Sequence, residues 1–409
     1  MTALLCLCQV LPYPPDAGVA IRTYNILQQL ADSYDLTMLC FYRWKGGAMQ
    51  SGVQRNVEAL GALGTAEAFS IPQEHSRVRM LADHTRSVLT GRPYTYYTYQ
   101  SRSFGTSLGH HLSERTFGMV HVDSMDLVAY LPRLVGRLPV ACTHHNVESQ
   151  LLRRRAAVER RRTRRNYLTF QAGRLERAER HWAPRVDLNV CCSTEDATTL
   201  ERLVPGARTV VVPNGVDVQT FQPSGTADDG IVFVGGTTWF PNRDALEYFC
   251  ADILPLIRER RPGVPVRWVG RATAEEQRHY RRRHNVELTG YVDDIRPYVG
   301  RAACFVVPLR VGGGTRLKIL DAWALGKALV TTSVGAEGLE ARHGHNALVA
   351  DTPAAFAAAV CQVLDSRELR QALGSAARQT AVERYSWDRI GEDLRTAYAA
   401  LMTGAEVPA

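Results

Sequence analysis

Residues able to hold an anion and a sugar hydroxyl crowd into one stretch of this chain, VGGGTRLKILD from Val311 to Asp321. From Arg316 onward the apolar residues fall at helical spacing, Leu317, Leu320 and Ala324 on one face, with Gly326 placed to stop the helix. Thr315 is the expected N-cap. Gly312, Gly313 and Gly314 let the backbone come close to a ligand. The amides of Gly313, Gly314, Thr315, Arg316, Leu317 and Lys318, with the positive end of the helix dipole, suit a phosphate. Arg316 and Lys318 put two cations in the first turn, where the dipole disfavours them and an anion offsets the cost. Asp321 follows Lys318 by three positions, on the same face. Its carboxylate can accept hydrogen bonds from the vicinal hydroxyls of a ribose, so the stretch reads as a nucleotide cradle. A plain Asp321–Lys318 surface pair is the competing reading. No GK[ST] closes the run and it is not a GxGxxG at the first strand, so neither common phosphate-loop motif applies.

The elements that must position this cradle alternate along the chain. ALLCLCQVL, DLTMLCFY, FGMVHVDS and LPVACTHH read as strands, with GVAIRTYNILQQLADSY as a helix between the first two. GIVFVGG, VPVRWVG, VELTGYV, AACFVVP and ALVTTS repeat the pattern in the second half. Short apolar runs alternating with helices make parallel sheets covered on both faces, an α/β class with two Rossmann-like domains. The junction falls where ARTVVVPNGVDVQTFQPSG loses periodicity. The expected divisions are 1–212, 213–384, and a C-terminal helix and tail over 385–409.

A length of 409 residues fits two such domains, and 45% hydrophobic with 22% charged residues is a globular composition. The apolar start has no basic leader and stops at a proline, so it reads as a buried strand; no run reaches a membrane span. Nine cysteines without CxxC pairs argue against a disulfide framework or a zinc site and for a reducing, cytoplasmic home. The segment 151–185 holds twelve arginines against three glutamates, more than the chain's whole net charge of +8. It is either a solvated helical face with pairs to Glu159, Glu176 and Glu179, or a peripheral contact with an anionic membrane. Few aromatics interleave and no nucleic-acid-binding module appears, so nucleic acid is not expected as a partner.

Two polar clusters end strands in the first half. THHNVES carries His145, Asn146 and Glu148, able to bind the hydroxyls of an acceptor, although a histidine pair also serves structure. VHVDSM offers His121 and Asp123. Arg22, one turn into the first helix, can reach an anion or remain solvated. In YVDDIRPYV the aspartate pair reads as a helix cap rather than a metal site.

The run VPLRVGGGTRLKILDAWALGKALVTTSVGAEGLE, with VVPNGVDVQTFQP before it and HNALVAD after it, resembles the GT-B-fold glycosyltransferases of family 4 (group 1). YVDDIRPYV, YSW, PYPPDAGVAIRTYNILQQLA and THHNVES fit as well, so the likeness covers nearly the whole chain. It implies two Rossmann-like domains facing across a cleft, with the last helix returning to the N-terminal domain. It implies a retaining, metal-independent transfer of a sugar from a nucleoside-diphosphate sugar to a carbohydrate or lipid-linked acceptor, in surface polysaccharide or glycan synthesis. No cofactor is implied; the nucleotide-sugar is the donor substrate.

Asp321 then stands at the second glutamate of the family's paired-glutamate signature, as the ribose carboxylate. Gly313 stands at the first, so the residue that holds the donor sugar is absent. The family's basic pair after the first donor-domain strand is also missing; Gly236 and Asn242 lie near those places, and Arg316 and Lys318 are expected to take over the diphosphate. By the same likeness Gly18 faces the donor phosphates, Tyr291 and Val292 border the nucleobase, and Glu337 approaches the donor. Asp123 stands where the family often carries a histidine aimed at the sugar, which makes it, with Lys318 and Arg316, a catalytic candidate. A non-hydrolysing nucleotide-sugar epimerase and a silent nucleotide-binding protein are the alternatives.

Overall fold

A computed structural model describes residues 1–43, 50–224, 230–312, 315–405 and 407. The chain divides into two units, Met1–Pro213 with Gly391–Ala409, and Asn214–Ile390. Each is a parallel sheet covered by helices, the two-domain α/β class expected from the alternation.

In the first unit the strands are β1 (Thr2–Cys8), β2 (Tyr34–Tyr42), β3 (Gly64–Ser70), β4 (Met119–Val122), β5 (Val140–His144), β6 (Leu188–Cys191) and β7 (Thr209–Val211). They pair in the order β3-β2-β1-β4-β5-β6-β7. Leu4 of β1 is in register with Leu36 on one side and Met119 on the other. Strands β1, β4 and β5 are buried along nearly their whole length, which explains their unbroken apolar runs, since each side chain meets helix on one face or the other. GTAEAFS, the edge strand β3, is half-buried and escapes an apolar-run reading. The last helix, Trp387–Thr403, enters this unit from Gly391 onward. There Arg395 Nη1 donates to the Gln29 carbonyl at 2.9 Å and the Tyr398 hydroxyl meets His121 Nδ1 at 2.6 Å. The expected return of the last helix to the first domain is observed.

In the second unit β8 (Ile231–Val234), β9 (Val266–Val269), β10 (Glu287–Leu288), β11 (Cys304–Val307), β12 (Leu329–Thr331) and β13 (Leu348–Val349) pair in the order β10-β9-β8-β11-β12-β13. Its core stacks Phe233 on Trp268 at 3.7 Å between ring centroids, with Phe249, Phe305, Trp323 and Phe356 fully buried around them. The helix Leu317–Ala324 buries Ile319, Leu320 and Trp323, and Gly326 at φ 64° ends it as the sequence foretold.

Both sheets reverse their winding beside the first strand. After β3 the chain returns to lay β4 against β1; after β10 it returns to lay β11 against β8. Loops at the carboxyl ends of these neighbours diverge to opposite faces, and the crevice between them is where such sheets take ligands. All nine cysteines are buried thiols, four of them within β1, β2 and β5.

Candidate active site

In the second unit the crevice lies between the ends of β8 and β11. Lys318, on the helix that follows β11, donates from Nζ to Asn242 Oδ1 at 2.7 Å and sits 4.0 Å over the ring of Phe233. Asn242 belongs to the helix after β8 and donates in turn to the Gly236 carbonyl at 3.1 Å. The structure thus brings Lys318, Gly236 and Asn242 together, from segments far apart in sequence. Burial, and then the charge of Arg316, push the Lys318 ammonium down to about 7 against the opposing pull of Asp321. Burial pushes the Asp321 carboxyl up to about 7, with Lys318 acting against it. A lysine and an aspartate that both titrate near neutrality are a pair waiting for outside charge and hydrogen bonds.

Gly235 makes this meeting possible, and sequence reading passed it over in favour of its neighbour. At φ 153°, a Cβ there would lie 2.6 Å from Asn242 Nδ2 and 2.7 Å from Lys318 Nζ. Its carbonyl accepts from Trp268 Nε1 at 3.0 Å, so the core holds the loop in place. Gly270, after β9, approaches as closely: a Cβ would stand 2.7 Å from the backbone of Gly235 and Gly236. The signal was legible only as a glycine after each strand. Gly235→Ala is expected to weaken nucleoside-diphosphate binding at least tenfold by calorimetry with an unchanged circular dichroism spectrum. Undiminished affinity would place the ligand away from Lys318.

Arg316 is placed deeper than the sequence suggested. It is 7% exposed, donates from Nη2 to the Val334 carbonyl at 3.2 Å, and lies 3.9 Å from Glu337 Oε2. Arg316 and Glu337 are therefore brought together beneath Gly312, where a Cβ would touch Arg316 Nη2 at 2.7 Å. The expected Thr315 cap is corrected: Arg316 occupies the N-cap position, no side chain caps the helix, and the Thr315 hydroxyl is buried without a hydrogen bond. The helix begins at Leu317, which is half-buried against the core. Gly313 and Gly314 lie outside the described residues. Tyr291 is exposed with its ring 5.0 Å from the Arg271 guanidinium, and Val292 packs on the core beside it.

In the first unit the crevice lies between the ends of β1 and β4 and holds a buried ionic cluster. Asp123, the residue after β4, is 2% exposed and accepts from the Thr23 hydroxyl at 3.0 Å. His145 Nε2 stands 3.6 Å from Asp123 Oδ1 and His121 Nε2 stands 3.9 Å from it. Burial opposes a charge on Asp123, but the imidazolium of His145 and both histidines beside it outweigh that and hold the carboxyl well below the usual range. Against the desolvation that would discharge it, Asp123 holds His145 protonated up to about 10. The histidine pair divides its labour. His144 bonds Asn189 Oδ1 at 2.9 Å, and burial lowers it to about 4, so it is a neutral strut.

A second group borders this cluster. Gln9, directly after β1, donates to Asp126 Oδ2 at 3.0 Å and to the Tyr99 hydroxyl at 3.2 Å. Burial raises Asp126 to about 6 and Glu148 to about 8, the latter also through the charge of Asp126, with His145 and Asn146 pulling the other way. Sequence reading took Asp123 from VHVDSMDL and missed Asp126 three positions on; Gln9, Thr23 and Tyr398 carried no motif. Arg22 is corrected. It is 2% exposed rather than solvated, and its guanidinium donates to the Val212 and Pro213 carbonyls at 2.7 and 2.8 Å, bracing the end of this unit. Gly18 is exposed at the start of the helix Gly18–Ala31.

The arginine-rich segment folds as two helices, Glu148–Val158 and Arg162–Trp182. Arg180 and Arg153 both pair with Glu176, and Arg164 with Glu159, while Glu179 turns inward to accept from the Ser149 amide at 3.0 Å. Among the described residues no helix is long and apolar enough to cross a membrane.

Comparison with known proteins agrees with the geometry. The model of Glycosyltransferase Family 4 matches residues 17–220, and that of Glycosyl transferases group 1 matches 228–366. Phosphatidyl-myo-inositol mannosyltransferase of Mycobacterium tuberculosis is 29% identical over 221 residues, 49% of this chain and 57% of that protein. The match thus spans little more than half the length of this relative. Among solved structures, sucrose-phosphate synthase of Thermosynechococcus elongatus aligns with a TM-score of 0.69 at 16% identity, over 98% of this chain and 100% of that one. HepE of Anabaena, solved with UDP and glucose, aligns with a TM-score of 0.65 at 15% identity over the same shares. These likenesses establish the GT-B fold. Because one family model matches the first sheet and its partner the second, the chain belongs to the family 4, group 1 glycosyltransferases.

Proposed function

We propose that the chain transfers a hexose from a nucleoside-diphosphate sugar to a hydroxyl acceptor with retention of configuration and without a metal. The observation that carries this reading is the convergence of Lys318 and Asn242 at the β8–β11 crevice, one turn from Asp321. A diphosphate set against Lys318 and the first turn of its helix restores the lysine's proton, and the ribose hydroxyls bond the Asp321 carboxylate. Arg316 and Glu337 shape the floor beneath, and Tyr291 and Val292 border the base. Bond cleavage leaves the bonding electron pair on the terminal phosphate oxygen and so adds a further negative charge to a diphosphate that already carries one on each phosphate. Cations and amides fixed there in advance stabilise that charge more than the ground state. The diphosphate oxygen then takes the acceptor's proton on the same face of the sugar, so no protein nucleophile is needed.

The acceptor reading rests on the first unit. Asp126, Glu148, Asn146 and His145 present donors and acceptors to a polyhydroxyl molecule. The exposed arginines Arg160, Arg161 and Arg162 support peripheral contact with an anionic membrane, which suits a lipid-linked acceptor in surface-glycan synthesis. Calorimetry with UDP, GDP and ADP at about pH 8, in buffers of different ionisation enthalpy, tests the donor half. Lys318 is largely neutral there, so binding is expected to take up close to one proton. Binding with no proton uptake, or no binding by any of the three, sinks the reading.

A further inference from the structure

A cavity of about 670 Å³ lies within the first unit and is lined by four arginines, Arg79, Arg86, Arg102 and Arg133, with no carboxylate among its lining residues. Arg79 binds the buried Asp83 through Nε at 3.0 Å to both oxygens, and Arg86 lies 4.0 Å from the same carboxylate. Arg133 donates one nitrogen to the Gly105 carbonyl at 2.6 Å. Arg102, in the first turn of the helix Arg102–Glu114, makes no hydrogen bond or ion pair among the described residues. Among the described residues Asp83 thus offsets Arg79 and Arg86 alone and no carboxylate pairs with Arg102 or Arg133, while the helix amides behind Ser101 add to the positive field. Such a concentration of forked donors matches the oxygens of a phosphate.

The carrier of that phosphate is indicated by the helix Arg77–Thr90, which supplies Arg79 and Arg86. At 100° per residue, Val78, Leu81, Val88 and Leu89 fall within an arc of about 100° on one face. These side chains are 77%, 68%, 49% and 80% exposed. Arg79 and Arg86 stand on the flank of this apolar arc, and the helix's only acidic residue, Asp83, is buried on the far side of them. An exposed apolar strip beside a polybasic pocket has the makeup of an element that lies in a lipid interface.

We propose that the Arg79–Arg86–Arg102–Arg133 cavity receives the phosphate group of an anionic lipid while Val78, Leu81, Val88 and Leu89 enter the headgroup boundary beside it. None of the 151–185 arginines lines this cavity, although Arg174 braces the helix Arg77–Thr90 by donating to the Ser87 and Val88 carbonyls at 3.1 and 2.9 Å. The nucleotide crevice belongs to the other unit, so the proposal stands whether or not the transfer reaction does.

Cosedimentation of the full chain with phosphatidylcholine vesicles, with and without phosphatidylglycerol, tests it. The wild type is expected to favour the anionic vesicles at least tenfold. Arg86→Gln with Arg102→Gln should abolish that preference with little change in the unliganded melting temperature, because among the described residues neither side chain makes a hydrogen bond and Arg79 keeps Asp83 paired when the 4.0 Å contact of Arg86 is lost. Arg102→Lys keeps the charge but loses the fork, and should bind several-fold more weakly; equal binding would reduce the site to unspecific attraction and overturn it. Leu81→Ser with Leu89→Ser should lose vesicle binding yet keep the stabilisation given by inorganic phosphate at matched ionic strength. If phosphate stabilises the wild type but vesicles do not bind, a soluble phosphate is the ligand and the lipid assignment fails. If only Arg160→Gln with Arg161→Gln and Arg162→Gln reduces vesicle binding, the cavity is not the site.

Discussion

Lys318→Ala is expected to lower kcat/KM at least a hundredfold, equivalent to about 2.7 kcal/mol of transition-state stabilisation. The side chain is the cation that the β8–β11 crevice sets against Asn242 and Gly235, and the basic pair of the family is missing from the loop that would otherwise supply one. Its ammonium already titrates near 7, so the free site holds the charge reluctantly and a diphosphate gains by restoring it. The loss should appear in kcat as well as in KM, because charge on the leaving group is greatest after the bond begins to break. Lys318→Arg should recover part of the activity by its charge, though its longer planar head does not fit the Asn242 contact. Steady-state kinetics with any donor that supports turnover measures both. Alanine activity within threefold of wild type would remove Lys318 from the diphosphate site and, with it, the reason for reading the crevice as catalytic.

Asp123→Asn is expected to cost about 3 kcal/mol of folding stability, the low end for stripping one partner from a buried ion pair, because His145 can shed its proton. Asparagine keeps the shape and can still accept from Thr23, so the loss reports charge rather than packing. The pH dependence identifies the cause. His145 is raised to about 10, so its contribution is complete below the ordinary imidazole value of 6.5 and is lost as pH climbs through 10. Asp123 is lowered, so its share is complete above the ordinary carboxylate value of 3.8 and disappears as pH falls below it. The pair therefore stabilises most between about pH 4 and 6.5. Urea titrations should show wild-type stability falling more steeply than the variant's between pH 6.5 and 10. Parallel curves would mean that His145 is neutral and Asp123 serves only as a hydrogen-bond acceptor.

Local pattern was enough for the fold class and for proposing the nucleotide cradle. The buried strands β1, β8 and β11 announce themselves as unbroken apolar runs, because a strand covered on both faces needs apolar residues at every position. Lys318 and Asp321 lie one turn apart, so their common face follows from helical periodicity alone. Strands β3 and β13 were not legible: one is an edge strand with half-buried, mixed residues, the other a pair of residues whose pairing with β12 no local signal encodes.

What only the tertiary structure decided is which distant residues meet and what burial does to their charges. The order of strands at each reversal sets Gly235 and Asn242 against Lys318, and Gln9 against Asp126, partners separated by scores of residues. The same arrangement sent Arg22 to two backbone carbonyls and set four arginines around one cavity. A side chain's type and its near neighbours follow from the sequence. Its water, its counter-charge and hence its proton depend on neighbours brought in by the sheet, and those neighbours lie beyond the reach of any local pattern.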